Sequence, residues 1–425
     1  MNGWVFRSGS RVASEQLPLS DIKVLDLTRL LPGGFCSLLL ADLGADVVKL
    51  EDTGLGDYVR WAPPLYGDDE QQALGTRSAL YLSLNRNKRS IRLDLKSEGG
   101  RDALLRLVRE SDVVLEGFRP GVLDRLGVGY ERMTEENPAL VYCAITGYGQ
   151  TGPNTDRAGH DMNYLGLIGL LGLTGEPNGR PIQSAGQIAD LGGGALMAAF
   201  GTMAALHEAR RSGRGQLVDV SMADGALSWL AMVAGAYLCD GKVPKRGEGQ
   251  LTGRFVCYLP YEAADGYITM GALEPQFWAR FCAGVGREDL TSKQYEPTGS
   301  EAWAEIAEIF RSRTRSEWKA FNDEHDAMIE PVLELDEALD SGLVRERGMV
   351  VGWEQPGIGP VRQLGVPVKM SRTPGTVHAP APALGEHTDE VLRDAGFSAD
   401  EIAALLASGA AAGPSAEARA ERFMS

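Results

Sequence analysis

The sequence predicts an α/β fold in which a parallel sheet carries helices on both faces. Short apolar runs, typical of buried strands, alternate with helical segments of about 10–15 residues along the first half of the chain. The 425 residues are 44% apolar and 24% charged, which is typical of globular proteins and allows more than one domain. We therefore expect a large α/β domain with a parallel sheet and a smaller α+β domain.

The first half of the chain supplies the predicted sheet and the helices around it. The predicted strands are Ile22–Leu27, Val47–Leu50, Ser90–Leu95, Val113–Glu116, Leu140–Ile145 and Val218–Val220. Helical periodicity and apolar runs predict the helices Phe35–Leu43, Gly100–Arg109, Gly192–Arg210 and Met222–Leu238. Pro32-Gly33-Gly34 is predicted to be a turn, and the Gly-, Pro- and Asp-rich residues 52–84 are predicted to be irregular.

A change of pattern in the second half predicts the second domain. We assign 20–225 to the large domain, 226–256 to a linker helix and loop, 257–345 to the small domain and 346–410 to a segment that returns to the large domain. In the small domain, two strands flank Ala-Asp-Gly at 264–266, a hairpin signal, and helices are predicted at 276–284, 300–312 and 315–324. The return segment carries predicted helices at 383–395 and 399–408. Residues 1–19 and 411–425 are expected to be weakly ordered extensions.

Charge and cysteine content narrow the classes of function. The net charge of −16 argues against nucleic-acid binding and against adhesion to an anionic membrane. The five cysteines are widely spaced and form neither a Cys-x-x-Cys pair nor a metal-like cluster, which favours a reducing, cytoplasmic location and predicts no metal site. We expect no apolar run of membrane-spanning length and no secretory signal.

Three positions carry ionisable residues where a strand or loop meets a predicted helix. Gly159-His160-Asp161 opens an apolar helical pattern that runs to about Leu171, Asp190 precedes three glycines, and Glu274 precedes Pro275. Histidine exchanges protons near neutral pH, and a helix N-terminus stabilises a developing oxyanion. The alternatives are structural: Asp190 and Glu274 as helix caps, and His160 as an ordinary hydrogen-bonded histidine.

A local reversal of charge suggests an anionic ligand. Residues 85–92 contain Arg86, Lys88 and Arg89, and Arg119 follows a predicted strand end. Arginine binds phosphate through two parallel hydrogen bonds. The alternative is a solvated edge strand protected by its charges.

Six motifs of this sequence resemble motifs of the family III CoA-transferases and occur in the same order along the chain. They are Asp26–Arg29, Ala41–Lys49, Asn85–Ser90, Glu116–Gly121, Gly147–Pro153 and Leu384–Thr388. The resemblance covers residues 20–410. It implies a Rossmann-like large domain that binds the CoA of an acyl-CoA substrate. It also implies an interlocked homodimer with its active site between subunits. The candidate CoA-binding residues are Arg29, Arg86, Lys88, Arg89, Arg119 and Arg125.

Two chemistries occur in this family. A transferase would use Asp161 as a nucleophile and form an acyl anhydride. The racemase branch carries Gly-His-Asp, an aspartate before Gly-Gly-Gly, and Gly-Ala-x-Glu-Pro-Gln-Phe, and this chain resembles it at all three places. The resemblance implies that His160 with Glu274 serves one face of the substrate and Asp190 the other. The segment Gly253–Pro260 departs from the racemase pattern, so Arg254 and Phe255 are candidates for reshaping the acyl pocket.

The sequence thus favours an isomerase of lipid metabolism that inverts carbon 2 of 2-methylacyl-CoA thioesters through an enolate. Backbone N–H groups near Asp161 would hold the enolate oxygen. No cofactor is expected beyond the CoA of the substrate itself. CoA transfer through Asp161 is the first alternative, and a catalytically silent CoA-binding protein is the second.

Overall fold

The computed structural model describes residues 17–67 and 75–414, and the expected extensions at 1–16 and 415–425 lie outside them. The chain divides into two compact units. The first unit comprises Met1–Ile168, Gly186–Trp229 and Gly342–Ser425, and the second comprises Gly169–Ala185 and Leu230–Ser341.

The first unit is built on a seven-stranded sheet. In chain order the strands of the protein are β1 (Lys23–Asp26), β2 (Asp46–Glu51), β3 (Lys88–Leu93), β4 (Val113–Glu116), β5 (Val141–Thr146), β6 (Leu217–Ser221), β7 (Leu259–Ala263), β8 (Gly266–Met270), β9 (Ile329–Pro331), β10 (Val350–Gln355), β11 (Gly359–Leu364) and β12 (Ala411–Ala412). The large sheet has the order β12-β3-β2-β1-β4-β5-β6, and every pairing is parallel except that of β12 with β3. The α/β prediction is therefore confirmed.

Helices and one antiparallel hairpin, β10–β11, accompany this sheet. The helices of the first unit are Leu30–Asp42, Ala79–Asn85, Glu98–Arg109, Val122–Arg125, Tyr130–Glu136, Asp161–Leu167, Met197–Ser212, Met222–Ser228, Gly342–Glu346, Thr388–Asp394 and Ala399–Ser408. A 3₁₀ turn covers Tyr58–Trp61, and a π-helical segment covers Ile188–Leu196. The buried core includes Leu25, Ile91, Leu104 and Val114, which come from strands and from the Glu98–Arg109 helix.

The second unit combines a small antiparallel sheet, in the order β7-β8-β9, with helices. Its helices are Leu170–Leu173, Ala231–Asp240, Pro275–Gly284, Glu301–Arg311, Arg315–His325 and Leu335–Leu339, and a 3₁₀ turn covers Glu288–Lys293. Aromatic side chains fill its core: Phe281 stacks on Phe310 at 5.2 Å between ring centroids, and Trp318 lies 4.8 Å from Phe310.

The unit boundaries differ from the predicted ones. Residues 169–185 were assigned to the large domain, yet they cluster with the second unit. Arg246 ties them there, because its guanidinium donates hydrogen bonds to the carbonyls of Gly172 and Gly179. Residues 230–256 were predicted to be a linker and also belong to the second unit, whereas 342–345 belong to the first.

Several predicted element bounds are corrected. The first helix begins at Leu30 and runs through Pro32-Gly33-Gly34, because proline is tolerated in the first turn of a helix. Glycine is required at 33, where a Cβ would lie 2.2 Å from the Thr28 side chain. The predicted Met222–Leu238 helix is interrupted after Ser228. At the C-terminus, Ala411 pairs with Leu93 as an edge strand, although 411–425 was expected to be an extension.

One helical run is longer than expected. Ile188–Ser212 spans 25 residues at a hydropathy of 1.3, which is long and apolar enough to cross a membrane, and 44% of its most apolar window is buried inside the protein. Our expectation of no such run was wrong. The run begins at Ile188, four residues before the predicted start at Gly192. Buried core helices are often equally long and apolar.

Buried charges lie beneath the carboxyl end of β1. Asp26 is fully buried and accepts hydrogen bonds from the Thr28 N–H at 2.9 Å and from the Ser37 hydroxyl at 2.5 Å. Its carboxylate also lies 3.5 Å from the Lys88 ammonium. Burial alone would raise the pKa of Asp26, but the charges of Lys49 and Lys88 and these hydrogen bonds outweigh burial and hold it below its usual value.

We predict that Asp26→Asn lowers the free energy of unfolding by about 3–5 kcal/mol, because it leaves the buried Lys88 ammonium without its carboxylate partner. Urea unfolding followed by circular dichroism measures the change. The control is Glu110→Gln, which removes an exposed ion pair with Lys23 and should cost less than about 1 kcal/mol. Equal, small losses in both variants would contradict the prediction.

Candidate active site

A cavity of about 640 Å³ opens in the first unit outside the carboxyl ends of three strands. Its walls include residues 28–33 after β1, 117–120 after β4 and 145–147 at the end of β5. Strands β1 and β4 are neighbours whose connections lead in opposite directions along the sheet. Such a reversal of strand order is where open α/β sheets bind ligands.

His160 lines this cavity and is exposed to it. It is the N-cap residue of the Asp161–Leu167 helix, with extended backbone dihedrals, and its N–H donates to the Asn163 side-chain oxygen at 3.0 Å. The helix ends at Leu167, four residues earlier than predicted. Because the N-cap residue is fixed by this turn, the imidazole is presented from a defined backbone position.

Tyr164 also fixes this turn. Its hydroxyl donates to the Gly159 carbonyl at 2.5 Å, and its ring packs edge-to-face on Tyr148 with 5.1 Å between centroids. A Cβ at Gly159 or Gly147 would lie 2.7 or 2.5 Å from this ring, so both positions require glycine. Burial, with Asp190 nearby, raises the pKa of Tyr164 to about 12, which keeps the hydroxyl protonated as a donor.

Asp190 lines the same cavity as His160. It lies in the first turn of the π-helical segment and is half-buried. Burial and the charge of Asp161 raise its pKa to about 6, and His160 opposes this shift. A carboxyl group with such a pKa exchanges protons near neutral pH, as general acid–base catalysis requires. π-Helical turns often occur at functional sites.

Asp161, the nucleophile of the alternative transferase reaction, does not line the cavity. The side chain is buried, with the residue 7% exposed. One carboxylate oxygen accepts hydrogen bonds from the N–H groups of Ala189 at 2.6 Å and Asp190 at 3.0 Å. The carboxylate of Asp161 therefore caps the π-helical segment that carries Asp190.

The predicted CoA-binding cluster at 86–89 is wrong, because these side chains form internal ion pairs. Arg86 pairs with Asp42 at 2.7 Å, Lys88 with Asp26 at 3.5 Å and Arg89 with Asp46 at 2.6 Å. Lys88 is fully buried, and burial lowers its pKa to about 8. The alternative of a solvated edge strand is also wrong, since β3 lies between β2 and β12.

Other arginines do line the cavity. Arg29 and Arg119 do so as predicted, although Arg29 also pairs with Asp52 at 2.8 Å. Arg125 is exposed and is not part of the lining. Sequence reasoning missed Arg157, an exposed residue of the cavity wall. Its position three residues before His160 was the available signal.

Glu274 belongs to the second unit. It is exposed and is the N-cap residue of the Pro275–Gly284 helix, but its side chain makes no capping hydrogen bond. The structural alternative is therefore confirmed for its position at the helix start, but not for a capping hydrogen bond from its side chain. In the same unit, the Arg254 guanidinium lies 5.1 Å from the ring of Phe255, which packs edge-to-face on Tyr295.

The first unit is thus a doubly wound α/β fold with a cavity at its topological switch point, and His160 and Asp190 both line that cavity. The chain belongs to CoA-transferase family III, whose family model matches residues 19–388. It is therefore an enzyme of the group that contains both CoA-transferases and racemases, and the recognition of this family from its motifs is confirmed.

Similar proteins of both kinds are known. The chain is 37% identical to the alpha-methylacyl-CoA racemase of Mus musculus, over 91% of this chain and 96% of that protein. It is 36% identical to the succinyl-CoA:mesaconate CoA-transferase of Haloarcula hispanica, over 89% and 96%. Among solved structures, a CAIB/BAIF family protein from Brucella suis matches with a TM-score of 0.77 and 31% identity, over 89% and 99%.

We predict that Gly193→Ala displaces the segment that carries Asp190. The added Cβ would lie 2.4 Å from the Met222 carbonyl oxygen and 2.7 Å from the Ala226 nitrogen, and these backbone atoms cannot rotate away. We expect a loss of about 1–3 kcal/mol in unfolding free energy, measured by urea unfolding. The control is Gly235→Ala, whose Cβ meets nothing within 4 Å in a helix and should be neutral or stabilising. A stable Gly193→Ala variant would contradict the prediction.

Proposed function

We propose that the protein inverts the configuration at carbon 2 of 2-methylacyl-CoA thioesters. The observation that carries the proposal is that His160 and Asp190 line one cavity, with the pKa of Asp190 raised to about 6. Support also comes from similarity to alpha-methylacyl-CoA racemases and from the Gly-His-Asp motif that this chain shares with that branch.

The proposed reaction moves one proton between two bases. Either the neutral imidazole of His160 or the carboxylate of Asp190 removes the proton from carbon 2, and its electron pair moves into the thioester to give an enolate. The other group, which carries a proton at that moment, returns it to the opposite face of carbon 2. Each positioned group contributes on the order of 10²–10⁴ in rate.

Further parts of the proposal complete this site. Backbone N–H groups at the start of the Asp161–Leu167 helix would hold the enolate oxygen. Arg29, Arg119 and Arg157, which line the cavity, would bind anionic groups of CoA. Glu274 would assist His160. No cofactor is required beyond the CoA of the substrate, and a role in lipid metabolism in the cytoplasm remains our proposal.

The test is incubation with a 2-methylacyl-CoA in deuterated water. We expect deuterium to enter position 2, and His160→Ala and Asp190→Asn to lower the rate of incorporation by at least about 10²-fold, because each removes one of the two proton carriers. Mass spectrometry measures incorporation. The control is His207→Ala, which removes an exposed histidine of the Met197–Ser212 helix and should leave the rate unchanged. Binding of the thioester without exchange or transfer would favour a silent CoA-binding protein.

CoA transfer is the second candidate, because relatives at similar identity are CoA-transferases. The family resemblance implies Asp161 as the nucleophile of this reaction, and the cavity lining adds Asp190 as a second candidate. Asp190 offers a carboxylate to the cavity, whereas the Asp161 carboxylate is buried against backbone N–H groups. Hydroxylamine trapping of an acyl group on Asp161 or Asp190, without deuterium exchange, would favour the transferase.

We also propose the interlocked homodimer that the family resemblance implies. An apolar stripe on the outside of one helical run supports it. Leu196, Phe200 and Met203 follow one another at helical spacing and are 45%, 75% and 37% exposed in the single chain. Monomeric proteins rarely leave such clusters in contact with water.

We predict that Phe200→Asp weakens this dimer, because it places a charge in the apolar stripe. Light scattering after size-exclusion chromatography should give twice the chain mass of 45.6 kDa for the unaltered protein and a lower mass for the variant. The control is Leu406→Asp, which alters an exposed leucine outside the stripe. A single-chain mass for the unaltered protein would refute the dimer.

A further inference from the structure

Two carboxyl groups of the first unit are coupled through the backbone. Asp161 accepts hydrogen bonds from the N–H groups of Ala189 and Asp190, and Asp190 itself offers its side chain to the cavity. One carboxylate thus holds the main chain of the other. The Asp161 carboxylate is buried, and it does not reach the cavity.

We propose that Asp161 is a positioning residue: its buried carboxylate fixes the first turn of the π-helical segment and, through its charge, sets the pH range in which Asp190 exchanges protons. This inference rests on the proposed function for its catalytic consequence, but the coupling between the two carboxyl groups can be measured without it.

The geometric part of the role follows from the hydrogen bonds. The first N–H groups of any helix have no partner within the helix, and here one oxygen of Asp161 accepts two of them, at 2.6 and 3.0 Å. Hydrogen bonds to a charged acceptor are shorter and stronger than neutral ones. The position of the Asp190 backbone therefore depends on a side chain of the neighbouring helix, and this helix begins directly after His160. The two proposed proton carriers are joined through Asp161.

The electrostatic part follows from charge. A neighbouring carboxylate disfavours ionisation of a second one, and the charge of Asp161 acts in this direction on Asp190, after burial and against His160. Other ionisable groups lie on the elements packed around the π-helical segment. Besides Asp161, they are Cys36, Asp42, Tyr142, Cys143, Tyr164, His207, Glu208, Arg210, Arg211, Asp219 and Asp224, together with the cavity residues Arg29, Arg119 and Arg157. Of all these carboxylates, Asp161 alone bonds the Asp190 backbone.

Two substitutions separate position from charge. Asp161→Asn keeps a side-chain oxygen that can accept both N–H groups but removes the negative charge. Asp161→Ala removes both. If the proposal is correct, Asp161→Asn shifts the titration of Asp190 to lower pH by about one unit, a tenfold change in proton affinity. It should also shift the acid limb of the exchange rate in the same direction, with the maximal rate kept within about threefold.

For Asp161→Ala we expect a different result. The maximal exchange rate should fall at least about tenfold, with little change in KM, because the base is displaced while the cavity stays open. Carboxyl ¹³C NMR of aspartate-labelled protein follows the titration of Asp190, assigned by its loss in Asp190→Asn. The control is Asp224→Asn, which removes an exposed carboxylate from the helix packed on the same segment and should leave the titration and rate unchanged.

Several outcomes would overturn the proposal. An unchanged Asp190 titration in Asp161→Asn removes the electrostatic role, and unchanged rates in Asp161→Ala remove the positioning role. Complete loss of activity in Asp161→Asn, with acyl groups trapped on Asp161 in the unaltered protein, would make Asp161 a nucleophile. If the unaltered protein shows no exchange, the proposed function fails, but the NMR titration of Asp161→Asn still decides the coupling. If Asp161→Ala does not fold, Asp161→Asn remains decisive.

Discussion

The buried charges at the carboxyl end of β1 are the constraint on which the cavity depends. Asp26 holds the Thr28 N–H, and the Lys49 ammonium binds both the Thr28 carbonyl and Asp57 at 3.0 Å. Asp57 in turn accepts the N–H of Leu30 at 3.2 Å, and Leu30 has a φ of 60°, a conformation that a branched residue adopts only under restraint. Thr28 and Leu30 both line the cavity. Opposite charges in a dry interior thus fix the loop that forms one of its walls.

Another part of the cavity wall depends on hydrogen bonds between side chains and the backbone. The turn before the Asp161–Leu167 helix is held by the Tyr164 hydroxyl, and the π-helical segment is held by the Asp161 carboxylate. His160 follows Gly159, whose carbonyl accepts the Tyr164 hydrogen bond, and the N–H of Asp190 itself donates to Asp161. The backbone at both residues is therefore held by hydrogen bonds. Precise placement of this kind is what proton transfer requires, since a catalytic group must lie within hydrogen-bond distance of its target.

Sequence patterns predicted the sheet well because buried strands appear in the sequence as short apolar runs. The predicted strands Val113–Glu116 and Leu140–Ile145 agree with β4 and β5 within one residue at each end. The charged residues at 86–89 were predicted to bind CoA, because a sequence does not show which carboxylates lie beside them in the fold. Lys88, for example, pairs with Asp26, which is 62 residues away in the chain. The contacts of Asp161 could not be predicted for the same reason. Its partners are the N–H groups of residues 189 and 190, and such backbone contacts leave no mark in the composition.

Asp190 has a side chain that suits either chemistry of this family, and the groups around it influence which one it can perform. An ionised carboxylate can attack a thioester carbonyl, whereas a carboxyl group that gains and loses a proton near neutral pH can serve an α-carbon. Burial and the charge of Asp161 move Asp190 toward the second behaviour, because they raise its pKa to about 6. His160 lies in the same cavity and supplies the second proton carrier that a transferase nucleophile does not need. The electrostatic setting of Asp190, more than the fold, is therefore what supports our proposal of isomerisation.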